Sequence, residues 1–259
     1  EIRAAKRPGV NPTAAAIGAL GAALVLTACG GDDGDDSGGQ TAADRFPQTT
    51  EPANLDPADF TTEIDNPYFP LSVGSRWTVR VTDAKGLEQR QVVTVTDQTK
   101  QIADGVEARV VHDVVSEGGQ QVEVTDDWYA QDSAGNVWYF GEDTAEYENG
   151  KLKTRSGSFE AGVDGADAGI AMPAQPEVGQ TYRQEYYAGQ AEDRTAVLSL
   201  DEQAQSPFGH FNDVLLTKDY TPIEPDVLEY KLYAKGVGQV LAVTVSGGSE
   251  REELVSYTK

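Results

Sequence analysis

Six short matches recur along the chain at a nearly constant spacing, and this internal period restricts the fold more than any other feature. Val73-Gly74-Ser75-Arg76-Trp77 returns as Val178-Gly179-Gln180-Thr181-Tyr182, an offset of 105. Asp97, Gly105 and Val110 return as Asp201, Gly209 and Val214, each at 104, and Trp128-Tyr129-Ala130 returns as Leu232-Tyr233-Ala234 at the same offset. Gly135-Asn136-Val137-Trp138 returns as Gly238-Gln239-Val240-Leu241 after one deletion. Single matches of this kind arise by chance, but six in order do not. The pattern predicts a duplicated unit, copy one at about residues 66–160 and copy two at about 173–259. A period of this length exceeds a propeller blade of about 40–45 residues.

Each copy reads as strands. Residues 90–96 (RQVVTVT), 106–115, 121–124 and 237–245 are short runs rich in Val, Thr and aromatics, several of them alternating. Asp83 to Gly86, Glu117-Gly118-Gly119, Ser133 to Asn136 and Asn149-Gly150 supply hairpin turn residues between them. No stretch carries a convincing 3.6-residue apolar stripe. The expected fold is therefore mainly β, an antiparallel duplicated meander arranged as two packed sheets or a flattened barrel. Residues 156–172, with Gly162, Gly165, Gly169 and little apolar matter, read as a loop connecting the copies.

Charge narrows the partners. With 20 Lys and Arg against 43 Asp and Glu the formal net charge is −23, and a field of that sign repels nucleic-acid phosphates and anionic headgroups. One cysteine rules out an intrachain disulfide or a multi-cysteine zinc site in a single chain.

That cysteine stands at a telling place. Arg3, Lys6 and Arg7 precede an apolar run from Thr13 to Leu26, which is the layout of a secretory signal peptide and too short for a membrane span of about 20 residues. Leu26-Thr27-Ala28-Cys29 follows and resembles the lipobox of bacterial lipoproteins. The resemblance implies removal of residues 1–28, a diacylglyceryl group on the Cys29 thiol and acylation, commonly palmitate, of the new amino terminus. The implied location is the extracytoplasmic face of a membrane, with the membrane itself a partner through the lipid anchor. Two or three acyl chains hold a protein firmly where one is marginal. Residues 30–59 carry eight acids and one base with few large apolar side chains, so residues 29–59 are expected to form a lipidated, disordered acidic linker ahead of a β domain at 60–259.

Four segments of that domain, DNPYFPL at 65–71, DWYAQD at 127–132, GNVWYFGEDT at 135–144 and GQTYRQEYY at 179–187, resemble a group of uncharacterised bacterial secreted proteins and lipoproteins. The similarity spans most of the domain and implies an envelope location without an activity.

Chemical motifs are sparse: the chain has no GxSxG, HExxH, P-loop or strand-to-helix GxGxxG. His112 reads as an ordinary strand residue and His210 as an exposed loop residue. Aromatics offer a better lead, because neighbours on a strand point to opposite faces. One member of Trp128 and Tyr129, and one of Trp138 and Tyr139, should therefore lie outside its own sheet's core, where with Tyr186 and Tyr187 it could line a concave face for a lipid, a glycan or an envelope protein. The leading expectation is thus a non-enzymatic, ligand- or partner-binding lipoprotein with no catalytic residue and no resident cofactor. The alternatives are an envelope hydrolase using paired carboxylates among Asp126, Asp127, Glu142, Asp143 and Glu185, as glycosidases do, and a calcium-supported module with Ca²⁺ near Asp132 and Asn136.

Overall fold

A computed structural model describes residues 46–259. The expected signal peptide, Cys29 and the acidic run at 32–36 lie outside the described residues. Sixteen strands are present among the described residues: β1 (Phe60–Thr61), β2 (Arg76–Thr82), β3 (Glu88–Gln101), β4 (Glu107–Glu117), β5 (Gln120–Asp132), β6 (Val137–Glu148), β7 (Lys151–Thr154), β8 (Phe159–Glu160), β9 (Asp167–Met172), β10 (Thr181–Arg183), β11 (Glu185–Tyr186), β12 (Arg194–Ser206), β13 (Gly209–Tyr220), β14 (Leu228–Ala234), β15 (Gly238–Ser246) and β16 (Arg251–Thr258). A 3-10 turn, Pro57–Asp59, precedes β1.

All the pairings are antiparallel, and they form one continuous sheet ordered β10-β12-β13-β14-β15-β16-β2-β3-β4-β5-β6-β9-β11. The stretches read as copies each fold as a meander in the same order, β2 to β6 and β10 through β12 to β15. Strand β16 joins them by pairing with both β15 and β2. Of the two expected arrangements, the barrel is the one present. The strands at the two ends of the sheet, β10 and β11, are consecutive in the chain: Tyr182 pairs with Thr195 of β12, and three residues later Glu185 pairs with Ala168 of β9. One short segment therefore borders both edges, and the sheet comes close to full closure, which leaves little edge exposed to a stray strand.

Two expectations are corrected here. Residues 167–172 are not loop but strand β9, bonded to β6 and β11 and almost wholly buried. Gly169 serves proximity in it, since a Cβ there would sit 2.3 Å from the Gln184 carbonyl carbon. Residues 46–59, expected to belong to the disordered linker, are packed on the domain. Arg183, 1% exposed, donates from Nη1 to the Thr49 and Glu51 carbonyls (2.7 and 2.8 Å) and from Nη2 to the Ala168 carbonyl (2.7 Å). Its own amide donates to the Pro47 carbonyl. The strap thus satisfies a buried guanidinium with backbone oxygens, which its composition does not announce.

One end of the barrel is plugged. Asn66 accepts from the Tyr68 amide and donates to the Gly135 and Pro173 carbonyls (3.1 and 3.0 Å), fixing the turn that carries Tyr68, Phe69, Pro70 and Leu71, all buried. Phe69 packs on Tyr129 with ring centroids 5.3 Å apart. The Gly236 amide donates to the Pro67 carbonyl, tying the plug to the β14–β15 turn.

Candidate functional site: a polar barrel interior and its acidic mouth

Register decides what faces inward. On the β5–β6 ladder Glu123 lies opposite Glu146, Thr125 opposite Thr144, Asp127 opposite Glu142 and Tyr129 opposite Tyr139, one after another from the open end towards the plug. The intervening residues face outward, and there Asp126 meets His112 Nδ1 at 2.7 Å while Asp143 pairs with Arg155. The acids flagged by sequence thus separate by parity, with Asp127 and Glu142 inside and Asp126 and Asp143 outside. Glu185 is fully buried at the seam.

The interior holds a polar network set among buried apolar residues such as Trp77, Val93 and Val111. Tyr139 Oη lies 2.8 Å from Asp127 Oδ1 and 2.9 Å from Glu142 Oε2, and the Thr125 and Thr144 hydroxyls are 2.7 Å apart. Gln91 donates to Asp113 (2.6 Å) and Gln239 to Glu252 (2.9 Å). Lys231 pairs with Asp219 at 2.9 Å and with Glu229 at 3.4 Å, and Asp219 also accepts from Thr195, Thr217 and Gln184. Burial disfavours the charged carboxylate. It pushes Asp113 up to about 7 and raises Asp127 well above the usual range, the latter helped by the Glu142 charge. Burial and neighbouring Glu229 push Glu252 up to about 8. One phenol carries one proton, so Tyr139 can bond both Asp127 and Glu142 only if a carboxyl supplies a second.

Between plug and network is a cavity of about 30 Å³, lined by Phe69, Leu71, Trp77, Asp113, Asp127 and Tyr129 among others. That is room for one or two waters, and Asp113 Oδ1 has no protein partner there.

The opposite end opens. A vestibule of about 570 Å³ is walled by Asp83, Glu117, Glu123, Glu146, Glu148 and Glu250 against one lysine, Lys153. These positions come from the β2–β3, β4–β5 and β6–β7 hairpin tips and the chain entering β16, together with inward residues of β2 to β6. Val81, Leu87, Val122 and Tyr147 supply its apolar surface. Gln89, on the inner face of β3, is only 9% exposed and donates to Glu117 at 3.2 Å, while its Oε1 has no partner.

The sequence-flagged aromatics are elsewhere. Trp128, Tyr129, Trp138 and Tyr139 are all buried, at 8%, 2%, 6% and 0% exposure, so these four do not line an open face. Tyr129 and Tyr139 face the interior. The outward members are covered: Phe60 of β1 packs edge-on against Trp138 at 6.2 Å, and Lys100 lies 4.5 Å over the Trp128 ring. Tyr186 and Tyr187 are half-buried near the seam, with Arg183 5.5 Å from the Tyr186 ring centroid. Around Asp132 the carboxylate accepts from the amides of Ala134 and Asn136, from Asn136 Nδ2 and from Trp138 Nε1 (2.8–3.0 Å), which is the bonding of a capped turn. Sequence reasoning did not single out the vestibule acids. The signal available was a concentration of acids at the same ends of successive hairpins.

No family model matches the chain, and no curated protein matches it. Among solved structures it is similar to a Bacteroides fragilis protein named as exported and as having a YmcC-like fold, at 16% identity, covering 74% of this chain and 99% of that one with a TM-score of 0.43. A second is a Parabacteroides distasonis protein named as a lipoprotein, at 13% identity, 74% and 98% coverage and a TM-score of 0.39.

Proposed function

We propose that the chain is a non-enzymatic, lipid-anchored binding protein on the extracytoplasmic side of a membrane, and that its binding site is the barrel mouth. Support for the anchor comes from the basic start, apolar run and Leu26-Thr27-Ala28-Cys29 motif. Support for binding comes from one observation, the inequality of the barrel's two ends. Residues 66–71 seal one of them, whereas the other forms a vestibule of about 570 Å³, within the usual range of roughly 300–1,000 Å³ for ligand pockets. A lipid inside the barrel is disfavoured by its polar filling, and glycan stacking is disfavoured by the burial of the tryptophans named above.

Two experiments test this reading. Replacing Cys29 with Ser should move the protein out of the membrane fraction and abolish the mass added by acyl chains, and an unchanged fraction and mass would overturn the anchor. For binding, amide resonances of the full chain in detergent are followed during titration with neutral oligosaccharides, peptides and small organic cations. Shifts centred on Gln89, Glu123 and Glu146 support the mouth as the site. Shifts centred on Trp128 and Trp138, or none, overturn it.

A further inference from the structure

We infer that the tip of the β12–β13 hairpin is a lipid-contact element that rests on the surface of the membrane holding the chain; the inference depends on the lipid anchor proposed above and adds a second point of contact to it. Phe208 is 42% exposed, and every other Phe, Tyr and Trp of the described residues is buried or half-buried. Its ring stacks on half-buried Phe211 with centroids 6.3 Å apart, and exposed Pro207 stands beside it. The tip is held in place, because the Phe208 amide donates to the Leu254 carbonyl of β16 at 3.0 Å. An apolar ring fixed on a turn faces water at a cost that an apolar surrounding removes.

Charge points to a bilayer as the occupant. Residues 203–212 (QAQSPFGHFN) contain no Asp, Glu, Lys or Arg in a chain of net charge −23. Every other hairpin turn among the described residues carries a charged side chain in or beside it, Asp83, Asp104, Glu117, Asp132, Glu148 and Lys235 among them. An acidic barrel is pushed away from headgroup phosphates, and this tip can approach them without that repulsion. Phe rings favour the boundary between headgroups and acyl chains. Two rings bury roughly 150–250 Å² each, too little for a stable protein interface of about 1,000 Å², but an anchored chain meets its own bilayer at high effective concentration. Reach permits the contact. Phe46, where the described chain begins, packs edge-on to Tyr182, which pairs with Thr195 of β12. Phe208 lies 13 residues beyond Thr195, at most about 45 Å away, while the 17 residues that follow Cys29 up to Phe46 extend to about 55–60 Å.

F208W tests this in the lipidated full chain, reconstituted in phosphatidylcholine vesicles with and without bromine on the acyl chains. L152W, at another exposed apolar position, is the control, and Trp77, Trp128 and Trp138, all buried, give a constant background. On reconstitution the F208W emission should shift to the blue and lose the added tryptophan's share of its intensity to the brominated lipid, while L152W and wild type keep theirs. An F208W protein that floats with the vesicles yet shows no quenching overturns the lipid contact and leaves the anchor standing. A protein that does not float fails the anchor and the contact together. Equal quenching in L152W would mean a barrel lying on the bilayer without a preferred tip, and overturns the inference. A blue shift that ignores bromine but grows with protein density in the vesicles assigns the tip to a contact between copies of the chain, and overturns it too.

Discussion

Gly74 and Gly179 adopt the same backbone conformation, φ 88° at each, and each donates its amide over 2.9 Å to a valine carbonyl of the following long strand, Val95 and Val197 respectively. Ser75 and Gln180, one residue on, accept in turn from the Val95 and Val197 amides. The recurring Val-Gly sequence is therefore a recurring structural device, a left-handed corner that launches each meander. An added Cβ meets nothing within 4 Å at either glycine, so alanine would be strained without a clash. G74A and G179A should each cost about 1–2 kcal/mol, equal within error in chemical denaturation. G169A, whose Cβ would strike the Gln184 backbone, should cost clearly more. Unequal costs at positions 74 and 179 would mean that the two corners are not equivalent.

How much of this was legible in the sequence follows from where the signals came from. Strand runs and hairpin turns were readable because Val, Thr and Gly-containing turns act locally. Strand β9 was hidden because the seam needs small residues: DAGIAM packs through backbone proximity at Gly169 and offers little of the bulk that marks a strand. The strap at 46–59 was hidden because it is held by carbonyls that any sequence possesses. The burial of the flagged tryptophans was hidden for a different reason. In this barrel the inward positions carry Gln91, Asp113, Asp127 and Lys231 while large aromatics such as Trp128 and Trp138 point outward beneath a cover. A rule that sends polar residues to solvent reads such alternation inside out.

Tyr139 tests the shared proton. Removing its hydroxyl leaves Asp127 Oδ1 and Glu142 Oε2 without the partner between them. Y139F should lose about 1–3 kcal/mol in urea denaturation at pH 6. D127N keeps a donor beside the phenol and removes one buried acid, so its loss should be smaller. A Y139F variant as stable as wild type would show that the contact contributes nothing.

Arg183 makes a separate prediction about closure. Its two Nη atoms reach three carbonyls on two segments, and Nη2 also lies 3.3 Å from Asp167. Lysine preserves the charge but cannot span those acceptors with a planar fork. R183K should release the strap at 46–55, seen as faster amide hydrogen exchange there and at 181–186. It should also destabilise the fold by about 2–4 kcal/mol, as loss of several hydrogen bonds to a buried charge does. Unchanged exchange in the strap would refute the role of Arg183 in joining the seam.

Stability should fall as pH rises from 5 to 8, the opposite of the usual behaviour of a carboxylate-rich protein. Asp113 is pushed up to about 7 and Glu252 to about 8, against ordinary values of 3.8 and 4.5. Between those limits the folded state holds protons that the unfolded chain has released, so the slope of unfolding free energy with pH is negative. The loss begins above about pH 4 and is complete once both groups ionise inside the barrel. Glu51, lowered to about 2 by hydrogen bonds from Gln48 and Thr49 that outweigh its slight burial, and Glu253, lowered by Arg80 and Arg251 against its burial, act in the other direction. Their contributions are lost only as pH falls below about 4.5, outside the window. Around the two raised groups, Gln91 and Gln239 are uncharged donors, while Glu229 opposes and Lys231 favours ionisation of Glu252. In D113N/E252Q both protonation steps disappear, and melting temperature plotted against pH between 5 and 8 should flatten relative to wild type. A wild-type curve that rises with pH over this range would mean that Asp113 and Glu252 are ionised in the folded barrel.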